Sequence, residues 1–202
     1  MDLLLIRHGE TELNAARVVQ FPDTPLGDTG MWQADQLGLS LADRSIELVL
    51  TSDYKRARST AQRIAQYTGA RLIESVRLRE RNFGEIRGKC YDDLGDIDIF
   101  ADDYLPPGGE SWAVFNTRVD IAWDEITSAA RTLSGDLVVV THGLVLRSLI
   151  ERVLDVSDHA IEPEMVVANT SVTLVERDPP WRVVELASVE HLAQRVGDVA
   201  PV

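Results

Sequence analysis

The chain has 202 residues, 45% of them hydrophobic and 26% charged, which suits a globular domain with a sizeable core and excludes a disordered polar chain. Its formal net charge of −13 repels nucleic acid and anionic membranes, with no Lys/Arg stripe to offset it. A single cysteine, Cys90, excludes an intrachain disulfide and any cysteine-based zinc motif.

Leu3 to Ile6 is a continuous aliphatic run that predicts a short strand buried on both faces. Residues 15–28, with Pro22, Pro25 and Gly27, predict a loop. From Thr29 to Asp43, Ala34, Leu37, Gly38 and Leu41 recur at helical spacing, and Ile46 to Leu50 predicts a second strand. Ser52 or Asp53 can cap a helix striped by Ala57, Ala61, Ile64 and Ala65. A weak third strand falls near Arg71 to Ile73. Residues 76–110 keep no period and predict a long surface loop. Phe115, Val119, Ala122, Ile126, Ala129 and Leu133 predict a long helix that Gly135 ends. Leu137 to Val140 predicts a buried strand and Leu144 to Leu154 a helix. Residues 171–176 and 182–187 predict two more strands around Pro179-Pro180, before a loose tail.

Strands alternating with helices predict an α/β fold, a mainly parallel sheet flanked by helices on both faces, with ligands bound beyond the carboxyl ends of the strands. One domain over residues 1–202 is expected, with a short cap insertion at about 89–110. Residues 1–12 carry Asp2, Arg7, Glu10 and Glu12 around four aliphatics, too short for a secretory leader or a membrane span, and the cytoplasm is the expected location.

Three predicted strands end on side chains that an apolar core would not choose: Arg7-His8, Thr51-Ser52 with Arg56 close behind, and Thr141-His142-Gly143. A parallel sheet brings those ends to one rim, where two imidazoles and two guanidiniums would meet. Like charges held together need an anion. Phosphate fits, because arginine presents a planar fork of donors and the helix opening at Gly143-Leu144 offers backbone N–H groups. Gly9 would let a ligand approach the backbone closely. A metal fits poorly beside Arg7 and Arg56, no ligand spacing such as HExxH is present, and no Walker A or GxGxxG pattern points to a nucleotide.

The stretches "RHGET" (7–11), "TSDYKRARSTA" (51–61), "RERNFGEIRG" (79–88), "PPGGES" (106–111) and "VTHG" (140–143), in this order and spacing, resemble the histidine phosphatase superfamily, phosphoglycerate mutase-like branch. The resemblance spans nearly the whole chain and implies that family's three-layer α/β/α fold. It implies that His8 is a nucleophile forming phosphohistidine, that Arg7, Arg56 and His142 bind the phosphoryl group, and that Glu80 is the proton donor. Asn14, Gln20, Gly143 and Leu144 match the substrate-binding set. No cofactor and no metal are implied.

Chemistry agrees with those roles. A neutral imidazole can attack phosphorus, and Arg7 and Arg56 favour the neutral form. Glu80, its pKa raised by partial burial, could protonate the leaving alcohol and then activate water. The ordinary alternative for Glu80 is a surface salt bridge with flanking Arg79 or Arg81.

Two departures bear on activity. The stretch "QFPDTPLG" puts Val18 where many relatives carry arginine, so one substrate contact is expected to be missing. The cap is short and holds Asp92, Asp93, Asp96, Asp98, Asp102 and Asp103. A short acidic cap disfavours a mutase and bisphosphorylated substrates, so the expected activity is a metal-independent phosphomonoesterase acting on small phosphorylated metabolites with a neutral or cationic remainder. A phosphoglycerate mutase-type phosphotransferase is the enzymatic alternative, and a non-catalytic phosphate-binding module the non-enzymatic one. The expected partner is a small-molecule phosphate monoester, with neither nucleic acid nor membrane; the oligomeric state is open, a homodimer included. Arg58, His159, His191 and Cys90 read as surface or structural residues, and Trp112 as packing or as part of the substrate mouth.

Overall fold

The aliphatic runs form the centre of a six-stranded sheet. The computed structural model describes residues 1–95, 97–161 and 166–196, without the side chains of 194–196. The strands are β1 (Asp2–Arg7), β2 (Ile46–Ser52), β3 (Arg71–Ser75), β4 (Asp136–Thr141), β5 (Val172–Glu176) and β6 (Val183–Ser188), in spatial order β3-β2-β4-β1-β5-β6. β3, β2, β4 and β1 are parallel, with Leu5 beside Val139 and Leu50 beside Val139 on the other side. β5 runs antiparallel to β1, and β6 antiparallel to β5.

The helices are α1 (Glu12–Ala15), α2 (Asp28–Ser40), α3 (Lys55–Thr68), α4 (Trp112–Ala130) and α5 (Gly143–Arg152). Strand alternation separates two cores. Leu3, Leu5, Leu48, Leu50, Leu137 and Val139 pack against α4 and α5, whose buried stripes include Phe115, Val119, Ile126, Leu146 and Leu149. Leu4, Ile6, Val49, Val138 and Val140 pack against Leu37 of α2 and Ala57, Ala61 and Ile64 of α3. This is the three-layer α/β/α arrangement, mostly parallel, with helices on both faces. No helix among the described residues is long and apolar enough to cross a membrane.

Residues 76–110 differ from the bare surface loop that the missing period predicts. They contain three short 3-10 helices, at Val76–Leu78, Gly84–Ile86 and Tyr91–Leu94. Val19, Phe83, Ile86, Leu94 and Ile99 form a separate small core beneath them. Arg81, only 1% exposed, is buried beside it, its guanidinium 5.5 Å over the Phe83 ring. The guanidinium donates to the carbonyls of Glu110 (3.1 Å), Ile99 (3.1 Å) and Tyr104 (2.6 Å) and lies 4.0 Å over the Trp112 ring. Asp96 lies outside the described residues.

The tail also departs from its expectation as far as it is described. Glu190–Val196 forms a 3-10 helix, and His191 is half-buried with Nε2 3.0 Å from the Thr170 hydroxyl; residues 197–202 lie outside the described residues. His159 is likewise no free surface residue, since its Nε2 meets the Val183 carbonyl at 2.9 Å.

Candidate active site

β1 ends by delivering His8 into the body of the protein, 2% exposed, where its backbone N–H donates to the Thr141 carbonyl of β4 at 3.0 Å. The ring is fixed at both nitrogens. Nδ1 lies 2.7 Å from the Gly9 carbonyl, which can only accept, so Nδ1 carries the proton. Nε2 therefore holds the lone pair, and Arg56 Nε–H donates to it at 3.1 Å. Burial pushes the His8 imidazole well below its ordinary value, and Arg56 and Arg7 push it further down against the opposing Gly9 bond. His8 is a neutral imidazole with a defined tautomer.

Gly9 has a different reason from ligand approach. A Cβ there would stand 2.6 Å from the Gly30 carbonyl oxygen, so the residue is glycine because α2 packs directly on the motif.

Arg56 enters from the first turn of α3, 2% exposed, with Nη1 on the Phe21 carbonyl at 2.9 Å and its guanidinium 5.2 Å over the Tyr54 ring. Burial lowers it to about 10, so it stays charged at neutral pH. Arg7 Nη1 donates to the Val167 carbonyl at 2.6 Å, while its buried Nε has no partner among the described residues. Burial lowers Arg7 too, opposed by Glu80 and Tyr91.

Glu80 makes no ion pair among the described residues. Arg79 instead binds Asp53 through Nε and Nη2, at 2.7 and 2.5 Å, and Arg81 is buried as described. The Glu80 carboxylate accepts from the Arg81 N–H at 3.0 Å and the Leu144 N–H at 3.2 Å. Burial raises its pKa, against the lowering effects of those bonds and of Arg56 and Arg7. Leu144 N–H is thus not free for substrate: it orients the Glu80 carboxylate. Gly143, which opens α5, has no partner for its N–H among the described residues, as helix starts require.

Arg7, His8, Asn14, Gln20, Arg56, Glu80, Gly143 and Leu144 line one cavity of about 280 Å³. His142 does not line it. With no exposed surface, it stands behind His8 with ring centroids 5.2 Å apart, edge to face. Its Nε2 meets the Ser52 hydroxyl at 2.9 Å and its Nδ1 is unpartnered. Burial first, then Arg56, His8 and Arg7, holds it neutral as well.

Asn14 and Gln20 both touch the Thr11 hydroxyl, at 3.3 and 2.8 Å. The described cap aspartates Asp92, Asp93, Asp98, Asp102 and Asp103 are exposed and absent from the lining, where Glu80 is the sole carboxylate among the described residues; Asp102 lines the adjoining cleft, which shares Phe100, Leu144 and Arg147 with the cavity. Arg87 and Arg147 line the cavity itself, so the acidic cap does not supply the charge of the lining. Val18 pairs in an isolated bridge with Cys90, and Trp112 sits beside the cavity with Nε1 on the Ala101 carbonyl at 2.8 Å.

Sequence reasoning missed Asn169. Its side-chain amide donates to the His8 carbonyl at 2.9 Å and to Asn14 Oδ1 at 3.4 Å. The next residue, Thr170, is held in the left-handed region (φ 56°) by N–H bonds to the Arg7 and His8 carbonyls. A β-branched residue there stores about 1–3 kcal/mol, and such strain clusters at functional sites. The "NTS" triplet at 169–171, just ahead of a predicted strand, was the available signal. Tyr54 was readable as well, since it lies inside the quoted 51–61 stretch.

The family model for the histidine phosphatase superfamily, branch 1, matches residues 3–189. A relative from Serratia proteamaculans, a probable phosphoglycerate mutase, is 33% identical, with 98% of this chain and 94% of the relative covered. The crystal structure of phosphoglycerate mutase from Bacillus anthracis superposes with a TM-score of 0.81 at 27% identity, covering 96% of each chain. A mycobacterial glucosyl-3-phosphoglycerate phosphatase superposes with a TM-score of 0.74 at 25% identity, covering 87% of this chain and 90% of that one. Buried neutral imidazoles, paired guanidiniums and a desolvated carboxylate at the carboxyl edge of this sheet fit those relationships: the chain belongs to branch 1 of the histidine phosphatase superfamily.

Proposed function

We propose that this phosphoryl-transfer enzyme is a phosphoric monoester hydrolase that works through a phosphohistidine on His8 and needs no metal. The observation that carries the reading is the His8 tautomer: Nδ1–H is spent on Gly9, and the Nε2 lone pair meets a guanidinium that can equally receive a phosphoryl oxygen.

Nε2 attacks phosphorus as the bond to the leaving oxygen breaks, and protonated Glu80 gives its proton to that oxygen. Water then attacks the phosphohistidine, Glu80 takes the proton back, the P–N bond breaks and inorganic phosphate leaves. Arg7 and Arg56 neutralise the equatorial oxygens, Gly143 N–H adds a donor, and the unpartnered Arg7 Nε gains an acceptor. His142 backs the nucleophile. Asn14 and Gln20 complete the lining. The guanidiniums supply the charge that a divalent ion would otherwise bring.

The substrate in this reading is a small phosphate monoester, without nucleic acid or membrane, in a reducing cytoplasm that suits the lone Cys90. The mutase reading rests on relatives such as the Serratia protein. Hydrolysis of para-nitrophenyl phosphate in excess chelator, by the parent and by His8→Ala, tests the proposal. Turnover that survives the chelator and vanishes with His8 supports it. Activity that needs added bisphosphate and moves phosphate between acceptors, rather than to water, assigns a mutase instead.

A further inference from the structure

The stretch "PPGGES" at 106–111 and the segment that carries Glu80 lie back to back. Glu110 N–H donates to the Asn82 carbonyl at 2.8 Å, and Glu85 N–H to the Pro107 carbonyl at 2.9 Å. Two glycines permit the approach, since a Cβ at Gly84 would strike the Pro107 carbonyl oxygen and one at Gly109 the Asn82 carbonyl oxygen. Arg118, from the second turn of α4, closes this joint. All five N–H donors of its guanidinium are placed. Nε and Nη2 fork onto the two Glu110 oxygens at 2.9 and 2.8 Å. Nη1 meets the Arg77 and Arg79 carbonyls at 2.8 and 2.7 Å, and Nη2 reaches the Glu80 carbonyl at 3.3 Å. Glu110 completes the grip with Oε2, which accepts the Asn82 N–H at 2.8 Å.

The peptide between Glu80 and Arg81 links this grip to the site. Its C=O accepts from Arg118, and its N–H donates to the Glu80 carboxylate at 3.0 Å. Turning that peptide would release the carboxylate from one of its two backbone donors, the other being Leu144 N–H. The side chains of Arg118 and Glu110 are only 18% and 17% exposed. An ion pair so withdrawn from water adds little net stability, because desolvation offsets its attraction; what it fixes is geometry. Geometry is what an acid needs, since a displacement of about 1 Å costs on the order of 10²-fold in rate.

Resting on the hydrolase reading, we propose that Arg118 and Glu110 are positioning residues for Glu80: the pair holds the 77–82 segment so that the carboxyl meets the leaving oxygen, and this is the task of the "PPGGES" stretch. Neither side chain lines the phosphoryl-binding cavity, so both act through Glu80 and not on the substrate.

The test compares kcat/KM for para-nitrophenyl phosphate, whose phenolate leaves without a proton, and for para-nitrobenzyl phosphate, similar in shape but with an alkoxide that needs one. Glu80→Gln sets the reference pattern, a loss concentrated on the benzyl ester. Arg118→Lys keeps the charge without the fork, and should lose about 10- to 100-fold on the benzyl ester and no more than about threefold on the phenyl ester. Glu110→Gln, nearly isosteric, should show the same pattern and serves if the lysine variant does not fold. In a Glu80→Gln background the lysine substitution should cost nothing further, and a further loss there overturns the proposal. Equal losses on both esters, or none, overturn it too and leave Arg118 a structural residue of the cap. If neither ester is turned over, or Glu80→Gln shows no such pattern, the hydrolase reading or its acid fails on its own account. The pair is then judged by carbon-13 NMR titration of the Glu80 carboxyl. Burial raises that carboxyl in the parent, and Arg118→Lys leaves Arg7, Arg56, Arg81 and Tyr91 facing it, so a drop toward the ordinary carboxylate range reports a loosened segment and upholds the pair's role. An unmoved titration overturns it.

Discussion

The backbone N–H of Leu144 donates to the carboxylate of Glu80 at 3.2 Å, so the helix that follows His142 also holds the proposed acid. The proposed acid and His142 are thereby tied to one helix. Burial nonetheless dominates and raises the Glu80 pKa. Glu80→Gln should lower kcat by about 10²- to 10⁴-fold while inorganic phosphate binds as before. For the parent, kcat/KM should fall as pH rises through the elevated Glu80 pKa, and that limb should vanish in the variant. A variant that keeps both the rate and the limb removes Glu80 from the mechanism.

Arg56 makes a prediction about geometry rather than charge. Its Nε contacts His8, its Nη1 the Phe21 carbonyl, and its guanidinium carbon lies 5.2 Å over the Tyr54 ring. Lysine keeps the charge and loses the fork. Arg56→Lys should therefore lose about 10²- to 10³-fold in kcat, close to the loss in Arg56→Ala. Recovery of most of the activity by lysine would show that charge alone suffices.

Asn169 holds the backbone of the proposed nucleophile through the His8 carbonyl, and the group that makes the contact is its N–H donor. Asn169→Asp has nearly the same shape but sets a carboxylate against a carbonyl. Its kcat should fall about 10- to 100-fold, below that of Asn169→Ala, with phosphate affinity little changed. An aspartate variant as active as alanine would reduce the contact to packing.

Arg81 shows why part of the structure was legible and part was not. The central strands could be read because buried aliphatic runs such as Leu3 to Ile6 have few other fates. The His8, Arg7 and Arg56 cluster could be read because strand ends converge on one rim in a parallel sheet. The reversed direction of β5 left no mark, since Val172–Glu176 would look the same parallel or antiparallel. The cap was opaque because the residues that form the core beneath it, Val19, Phe83, Ile86, Leu94 and Ile99, are irregularly spaced. Arg81 resembled a surface ion-pairing residue because its carbonyl partners lie at Ile99, Tyr104 and Glu110, distances no local pattern encodes. Arg81→Met should leave those carbonyls unsatisfied and destabilise the fold by about 3 kcal/mol. For a chain of this length that is a Tm lower by roughly 6–12 °C. Arg81→Lys should recover less than half, because an ammonium cannot span the three acceptors. A methionine variant with the parent Tm would show that the cap does not depend on this side chain.

The two buried imidazoles set the acid limit of stability. His8 and His142 are both held well below the ordinary value of 6.5, chiefly by burial, and His191 is lowered to about 4 by the same cause. The folded state refuses protons that the unfolded chain accepts, so stability is complete above the ordinary imidazole pKa and is lost as pH falls from there toward the depressed folded values. Each such group contributes about 1.4 kcal/mol per pH unit within that window. The measurement is urea unfolding of the parent and of His8→Gln between pH 7 and 5. The glutamine variant should lose stability less steeply by about one proton's worth, although it is catalytically dead. Parallel slopes would mean that His8 takes up its proton in the folded protein, and the neutral resting nucleophile would have to be abandoned.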